Sequence, residues 1–576
     1  MQPIDHSILS LYLIVLLCVG LYFKRKASRG LNEYFLGGRK IPWWALGVSG
    51  MASNLDMTGT MLISSFFYML GMKGFLIELR GGVVLVLAFL MVFIGKWHSR
   101  SGVLTVAEWM EYRFGKGRQG DMARLLSTIA ILTGTVGIVV YFFVGTGKFL
   151  SIFLPFPPKV CALILIAMAS LFTTLGGLYG VVYTELIQGV LMGFTAIFIS
   201  IKAFLSEDFA TIQSMTPAGW SDIAPPWKMQ MPSGYEMYNL FGVSVLFFFL
   251  KTVIEGLGAP GGYMAQRYFA AKSDRDSGKL SALWISLLAF RWPFIMGIAV
   301  LGLRLGARVA EPEMVLPTVL LYGIPAGLKG LMVAVMVAAA MSAFDSTINA
   351  GASYVVNDIY YKYINPHADN RQLVRAGYLS SVLIVVVGVF IGIVTPSINA
   401  IWRWITMSLV SGMIIPNFVR WYWWRLNGYG YAIGIGAGIS AAVVQRIVAP
   451  AMQEWMAFLT VGSVSLLGLI AGTLFTRPTE QNVLEHFYRT TRPMGLWKKI
   501  SEKMDVSFLS LVQKENRRDF TAMFFSVPWQ ISLFLTPTYA VIHKWSSFAE
   551  CLLVLIVSSA GLYFFWFRHL KDNEAG

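Results

Sequence analysis

Long apolar runs divided by short polar ones lay out this chain, and several of the runs are interrupted where a bilayer-spanning helix should be continuous. Apolar segments at about 8–23, 42–70, 74–96, 122–150, 159–178, 180–204, 238–264, 280–304, 328–361, 373–396, 398–424, 430–449, 453–475, 521–543 and 547–567 predict fifteen spans. In the second span, GVSGMASNLDMTGT places Ser53, Asn54, Asp56 and Thr58 among glycines at bilayer depth. In the seventh, FFFLKTVIEGLGAPGGYMAQR carries Lys251 and Glu255 into a run of glycines ending at Gly262. A third glycine-rich stretch, TTLGGLYGVVYTELIQ, leads to Glu185 and Gln188. Non-helical backbone at this depth is tolerated only where it lines a cavity, and unwound carbonyls are ready sodium ligands.

The most polar of the apolar helices runs from Gly330 to Pro366. Ser342, Asp345, Ser346 and Asn349 stand at i, i+3, i+4 and i+7, one helix face, while the alanines before them allow close approach of a neighbour. Two readings stay open from the spacing: the wall of a small-cation site, or a polar seam that glues helices together. Lys251 and Glu255, at i and i+4, either neutralise each other or offer Lys251 to a substrate carboxylate.

Composition agrees with the pattern. Of 576 residues 56% are hydrophobic and 13% charged, against about 25% charged in soluble domains, so the chain is an all-α polytopic membrane protein. The net charge of +16 does not imply nucleic acid, because basic residues gather in alternate loops. Basic loops at 24–40, 267–279 and 476–520 and an acidic one at 206–236 place the N-terminus outside and the C-terminus in the cytoplasm of the inner (plasma) membrane. Within 476–520, Trp497 and the spacing of Phe508, Leu511 and Val512 predict a helix lying on the inner leaflet. The three cysteines form no disulfide framework or metal motif.

Two interrupted helices in corresponding positions suggest two inverted five-helix halves, 42–204 and 238–425. An N-terminal helix and loop (1–41), an external loop (205–237) and a C-terminal region (426–576) with about four more helices complete the expected organisation.

Six stretches in order carry a family resemblance: EYFLGGRKIPWWALGVS, LTVAEWMEYRFG, GGLYGVVYTELIQ, AQRYFAAKS, AAAMSAFDSTINAGASYVVNDIYYKYINP and WWRLNGYGYAIGIGAG. Over about residues 33–430 the chain resembles the sodium/solute symporters, which include sugar, proline and sialic-acid carriers. The resemblance implies a LeuT-type five-plus-five inverted repeat with one extra helix in front and a co-transported Na+. It implies sodium ligands at the Ala52 and Leu55 carbonyls, the Ala339 carbonyl and the Ser342 hydroxyl. Ala343 stands where the family usually has a second hydroxyl. A second sodium would use Glu185, Asp345 and Ser346 with Ser342. Glu78, 26 residues after Ala52, matches a hydroxyl-binding carboxylate of sugar carriers, whereas Thr58 and Gly59 replace their Gln and Glu. Asn54, Asp56, Thr58, Glu78, Lys251, Glu255 and Trp404, with Trp402, Thr406 and Ser408 nearby, are the expected solute-binding residues.

Sodium-coupled import of a small polar organic solute, a sugar or related polyhydroxylated compound first, is the function this implies, carried out by a monomer. An amino acid or organic anion is the alternative cargo. A symporter-like sensor is the alternative class, though 476–520 and the short tail have no room for a kinase or receiver domain. No nucleophile motif, metal-ligand cluster or phosphate loop speaks for an enzyme.

Overall fold

The computed structural model describes residues 1–27, 41–103, 105–258, 261–395 and 397–570. Most of the basic loop 24–40, the Ala259–Pro260 step within the second predicted break, and the tail from 571 lie outside them. Among the described residues the architecture is helical, with one isolated bridge between Trp423 and Leu496. Ten of these helices are long and apolar enough to cross a membrane, and Met57–Leu70, Val86–Ser99 and Pro158–Ser170 are shorter apolar pieces.

After α1 (Pro3–Ala27), the first interruption falls where the sequence places it. α2 (Trp43–Asn54) ends at Leu55, and α3 (Met57–Leu70) starts afresh. Asp56 caps the new helix by accepting the Gly59 N–H at 2.5 Å.

The next span, expected as one helix over 74–96, is broken too. α4 (Lys73–Ile77) tightens into a 3₁₀ turn at Glu78–Arg80 and gives way to turns through Gly81–Leu85. α5 (Val86–Phe89) then widens at Leu90–Ile94 into α6 (Gly95–Ser99). Two successive glycines before two β-branched valines favour such a break, and Val84 adopts a positive φ of 52°. Buried carbonyls need partners, and three side chains from two other helices supply them. Thr252 caps Leu79, Lys251 donates to the Arg80 carbonyl at 2.7 Å, and Gln530 donates to the Val83 and Val84 carbonyls at 3.1 Å each.

Beyond α7 (Val106–Phe114) and α8 (Arg118–Leu150), the backbone is helical throughout α9 (Pro158–Ser206), including the glycine-rich stretch read as a break. At about 1.5 Å per residue such a path extends roughly 74 Å, more than twice a ~30 Å hydrocarbon core, so the two predicted spans share one helical run. α10 (Phe241–Gly258) and α11 (Gly262–Phe269) flank the second interruption. The freed Leu257 and Gly258 carbonyls accept from the Tyr422 hydroxyl at 2.9 Å and the Trp421 indole at 3.0 Å.

The single helix expected over 280–304 is divided at Ala289–Phe290 between α12 (Asp274–Leu288) and α13 (Arg291–Leu305). Pro293 lacks an N–H and its ring clashes with the carbonyl four residues back, that of Ala289, which accounts for the division. α14 (Leu328–Val355) is the buried centre of the molecule. α15 (Asn370–Ile393) and α16 (Ile398–Arg403) follow; the latter runs through a widened turn at Trp404–Leu409 into α17 (Val410–Tyr422).

The C-terminal region adds α18 (Gly428–Val448), α19 (Glu454–Phe475), α20 (Gln481–Thr491), α21 (Val506–Val541) and α22 (Trp545–Phe565). It corrects the expectation that Trp497, Phe508, Leu511 and Val512 belong to one helix lying on the inner leaflet. Trp497 is 2% exposed, stacks on Phe487 and donates to the Trp421 carbonyl at 2.9 Å. Phe508, Leu511 and Val512 belong to the first turns of α21. Glu515 pairs with Lys96 at 2.7 Å and Arg100 at 2.8 Å. Burial alone would raise its pKa, but those two cations outweigh burial and hold it well below the ordinary glutamate range.

Candidate functional site

Two buried carboxylates organise the centre. The first, Glu185 on α9, is surrounded by serine hydroxyls from two other helices. Ser53 of α2 donates to Oε1 at 2.8 Å, and Ser342 and Ser346 of α14 do so at 2.9 and 2.8 Å, while Ser49 of α2 bonds Oε2. The i, i+4 steps 49/53 and 342/346 place each serine pair on one helix face. Into this cage reaches the guanidinium of Arg267 from α11. Its Nη2 lies 2.8 Å from the Ser49 and Ser53 hydroxyls, 2.9 Å from Ser346 and 3.4 Å from Glu185 Oε2. Arg267 is fully buried, so the basic stretch 267–279 does not begin in a solvated loop.

The second carboxylate, Glu78, faces a cavity of about 80 Å³ between the broken helices, lined also by Ser53, Asn54, Asp56, Tyr141, Tyr263, Arg291 and Trp402. Glu78 Oε1 accepts from Arg80 at 3.2 Å; Arg80 in turn binds Glu454 and Tyr238 at 2.6 Å and Asn399 at 3.1 Å. Glu78 Oε2 is buried without a partner, as are Arg291 Nε and Trp402 Nε1. The Trp402 ring lies tilted against Tyr141, centroids 5.0 Å apart. Glycines make the room. A Cβ on Gly59 would stand within 3 Å of Asp56, the Tyr141 hydroxyl and Arg291, and one on Gly82 would strike Glu78. Arg291 and Tyr141 therefore crowd the space beside Gly59, where sugar carriers have a carboxylate.

Tyr263, with Ile138 and Thr347, lines both this cavity and a larger, mostly apolar one of about 200 Å³ that also has Glu255 and Asn417 in its wall. It is held by Asn54, whose amide donates to the Tyr263 hydroxyl at 2.6 Å and accepts from Trp284 at 2.8 Å.

Among the expected site residues, Asn54, Asp56 and Glu78 come together at the smaller cavity. Glu185, Ser342 and Ser346 meet in the cage, while buried Asp345 lies within electrostatic reach of Tyr12 on α1. Ala52 and Leu55 sit at the end of α2, among the carbonyls a helix terminus leaves open. Ala339 lies one turn before Ser342, within unbroken α14.

Three expectations need correction. Of the two readings of Lys251 the structure has the internal pair: it joins Glu255 at 2.7 Å and caps the Arg80 carbonyl, which leaves it outside the lining of the smaller cavity and not available there to a solute. Thr58 packs against Gly145 of α8. Trp404 donates to the Ala442 carbonyl at 3.1 Å, turned to the C-terminal helices, and Trp402 takes the cavity wall. Arg267 and Arg291 were missed. Arg291 was discoverable as a charge inside the apolar run LLAFRWPFIMG, which marks function by default.

Helices broken around two adjoining polar sites at bilayer depth define a membrane carrier of LeuT type rather than an enzyme. The chain belongs to the sodium:solute symporter family, whose sequence model matches residues 34–438, and sodium is its co-transported ion. It is 26% identical over 482 residues to the sodium/glucose cotransporter of Vibrio parahaemolyticus, covering 77% of this chain and 85% of that one. To the human sodium/myo-inositol cotransporter it is 26% identical over 506 residues, covering 77% and 67%. A solved outward-open structure of a Na+-coupled sialic acid symporter superposes with a TM-score of 0.68 at 21% identity, covering 83% of this chain and 99% of that one, and supports the fold.

Proposed function

We propose that this symporter imports a neutral polyhydroxylated solute, a monosaccharide or cyclitol, with its halves 42–204 and 238–425 alternating access around the smaller cavity. The observation that carries this reading is the set of unpartnered buried atoms there: one acceptor, Glu78 Oε2, and two donors, Arg291 Nε and Trp402 Nε1. A hydroxyl both donates and accepts, so vicinal hydroxyls satisfy all three, and the rings of Trp402, Tyr141 and Tyr263 suit the apolar face of a sugar ring. Formal charge argues against an anion: Asp56 and Glu78 face Arg291, while Arg80 offsets Glu454, leaving one excess negative charge. The named cargoes of the glucose, mannose and myo-inositol cotransporters among its relatives agree with this class.

Sodium would bind at the Ala52 and Leu55 carbonyls opened by the first break, with Ala339 and Ser342 opposite. In this reading the N-terminus is external, the C-terminus cytoplasmic, and the monomer transports.

The test is a sodium-dependent thermal-shift screen of purified protein against hexoses, inositols, sugar acids and amino acids, since a ligand stabilises by RT ln(1 + [L]/Kd). Neutral polyols should shift the melting temperature in sodium but not in choline. Glu78→Gln should fold normally and bind that solute roughly ten- to a hundred-fold more weakly, the loss of one charge-assisted hydrogen bond of about 1.5–3 kcal/mol. A shift produced by carboxylated solutes alone would reject the neutral-polyol class.

A further inference from the structure

We propose that Arg267 is a tethered cation that holds the second ion position of this symporter, so that one sodium, not two, moves with each solute. The inference rests on the sodium-coupled reading above and specifies its stoichiometry.

The geometry around Arg267 Nη2 carries the argument. Four oxygens from three helices, Ser49, Ser53, Ser346 and Glu185, surround this one nitrogen at 2.8 to 3.4 Å. An NH₂ group has two hydrogens, so it can serve all four only through forked, weakened bonds. Hydrogen bonding alone does not explain such convergence; a shell of oxygens around a positive centre does. The serine protons are committed elsewhere: Ser49, Ser53, Ser342 and Ser346 each hydrogen-bond the Glu185 carboxylate, which turns hydroxyl lone pairs toward the guanidinium.

Charge closes the case. One carboxylate and one guanidinium already balance in the cage, both with side chains no more than 1% exposed. A sodium ion beside them would be a second positive charge on the one carboxylate of the cage, away from water, and that is unfavourable; buried Asp345 of α14 is not among the oxygens around Arg267 Nη2 and acts on Tyr12 of α1. Sodium could enter only if the arginine left. Arg267 is held against leaving: its Nη1 donates to the Tyr263 carbonyl at 2.9 Å, and its guanidinium lies over the Tyr263 and Trp284 rings at 5.4 and 6.0 Å. Removing the arginine charge while keeping Glu185 should convert the cage into a monovalent-cation site made of one carboxylate and the serine hydroxyls.

Equilibrium binding of radioactive sodium to the purified full chain tests this. The parent should bind one sodium per chain, Arg267→Gln two, and the double variant Arg267→Gln/Glu185→Gln one again. The Hill coefficient for sodium activation of solute binding should move from near one to near two in Arg267→Gln. Two sodiums on the parent, or one on Arg267→Gln, would overturn the proposal, whereas no sodium on the parent would sink the coupling reading itself. Should Arg267→Gln fold only when sodium is present and not in choline, that dependence supports the proposal. If it folds in neither, the reversal potential of the parent in proteoliposomes decides: one charge per neutral solute is expected, and two would refute it.

Discussion

Glu185 and Glu78 are both buried glutamates next to an arginine, yet their surroundings differ in one decisive respect. Both oxygens of Glu185 are matched, with four serines and Arg267 sharing them. Around Glu78 one oxygen is tied to Arg80, and the other, together with Arg291 Nε and Trp402 Nε1, has no partner. Burying an unsatisfied polar group costs about 1–3 kcal/mol, so a folded chain keeps several in one place only where something else completes them. The saturated site holds helices and charge in place. The unsaturated one is the site proposed above to take the solute.

Three experiments break or sharpen that contrast. The largest effect should come from Arg80, which holds the tied half of the Glu78 site. Arg80→Ala strands Glu78 and Glu454 without their shared cation and should destabilise the protein by about 3–5 kcal/mol in denaturant unfolding. A loss below ~1 kcal/mol would mean that these carboxylates are not bound to one another through Arg80.

Gln530→Leu should cost about 1–3 kcal/mol, because the Val83 and Val84 carbonyls lose their side-chain donor. It should also weaken solute binding, since those residues hold the turn that follows Glu78; intact affinity in a destabilised variant would separate the break from the site.

The smallest effect isolates one donor. Trp402→Phe keeps a ring but removes Nε1–H and should raise solute Kd by roughly five-fold, about 1 kcal/mol. Trp404→Phe, which loses only its bond to the Ala442 carbonyl, should leave Kd within about two-fold. Equal losses in both would show that aromatic bulk, not the unpaired indole, shapes the site.

How much of this was legible in the sequence depends on whether the signal was local. The first interruption was readable from glycines and polar residues within a few positions of Asp56, and the helical spacing of Ser342 and Ser346 correctly put them on one face. The break at Gly81–Leu85 has a local cue in its paired glycines, but what stabilises it lies in Lys251, Thr252 and Gln530, which no window of sequence connects to it. Arg267 was read as part of a basic loop because its neighbours Lys272, Arg275 and Lys279 are basic; its own burial is a tertiary fact. Trp402 and Trp404 differ by two positions, roughly opposite faces of a helix, and the widened turn beginning at Trp404 makes that choice unreadable without coordinates.

The reach of Gln530 to the second core helix bears on the order in which the protein is made. Residues 83 and 84 leave the ribosome more than four hundred residues before the side chain that binds their carbonyls. Until α21 is synthesised and inserted, the nascent second helix must shelter two open carbonyls against whatever lies nearby, and chains generally acquire structure from the N-terminus onward. The turn beside Glu78 is thus completed late, by a helix far downstream in the chain, and its maturation is a property of the whole chain.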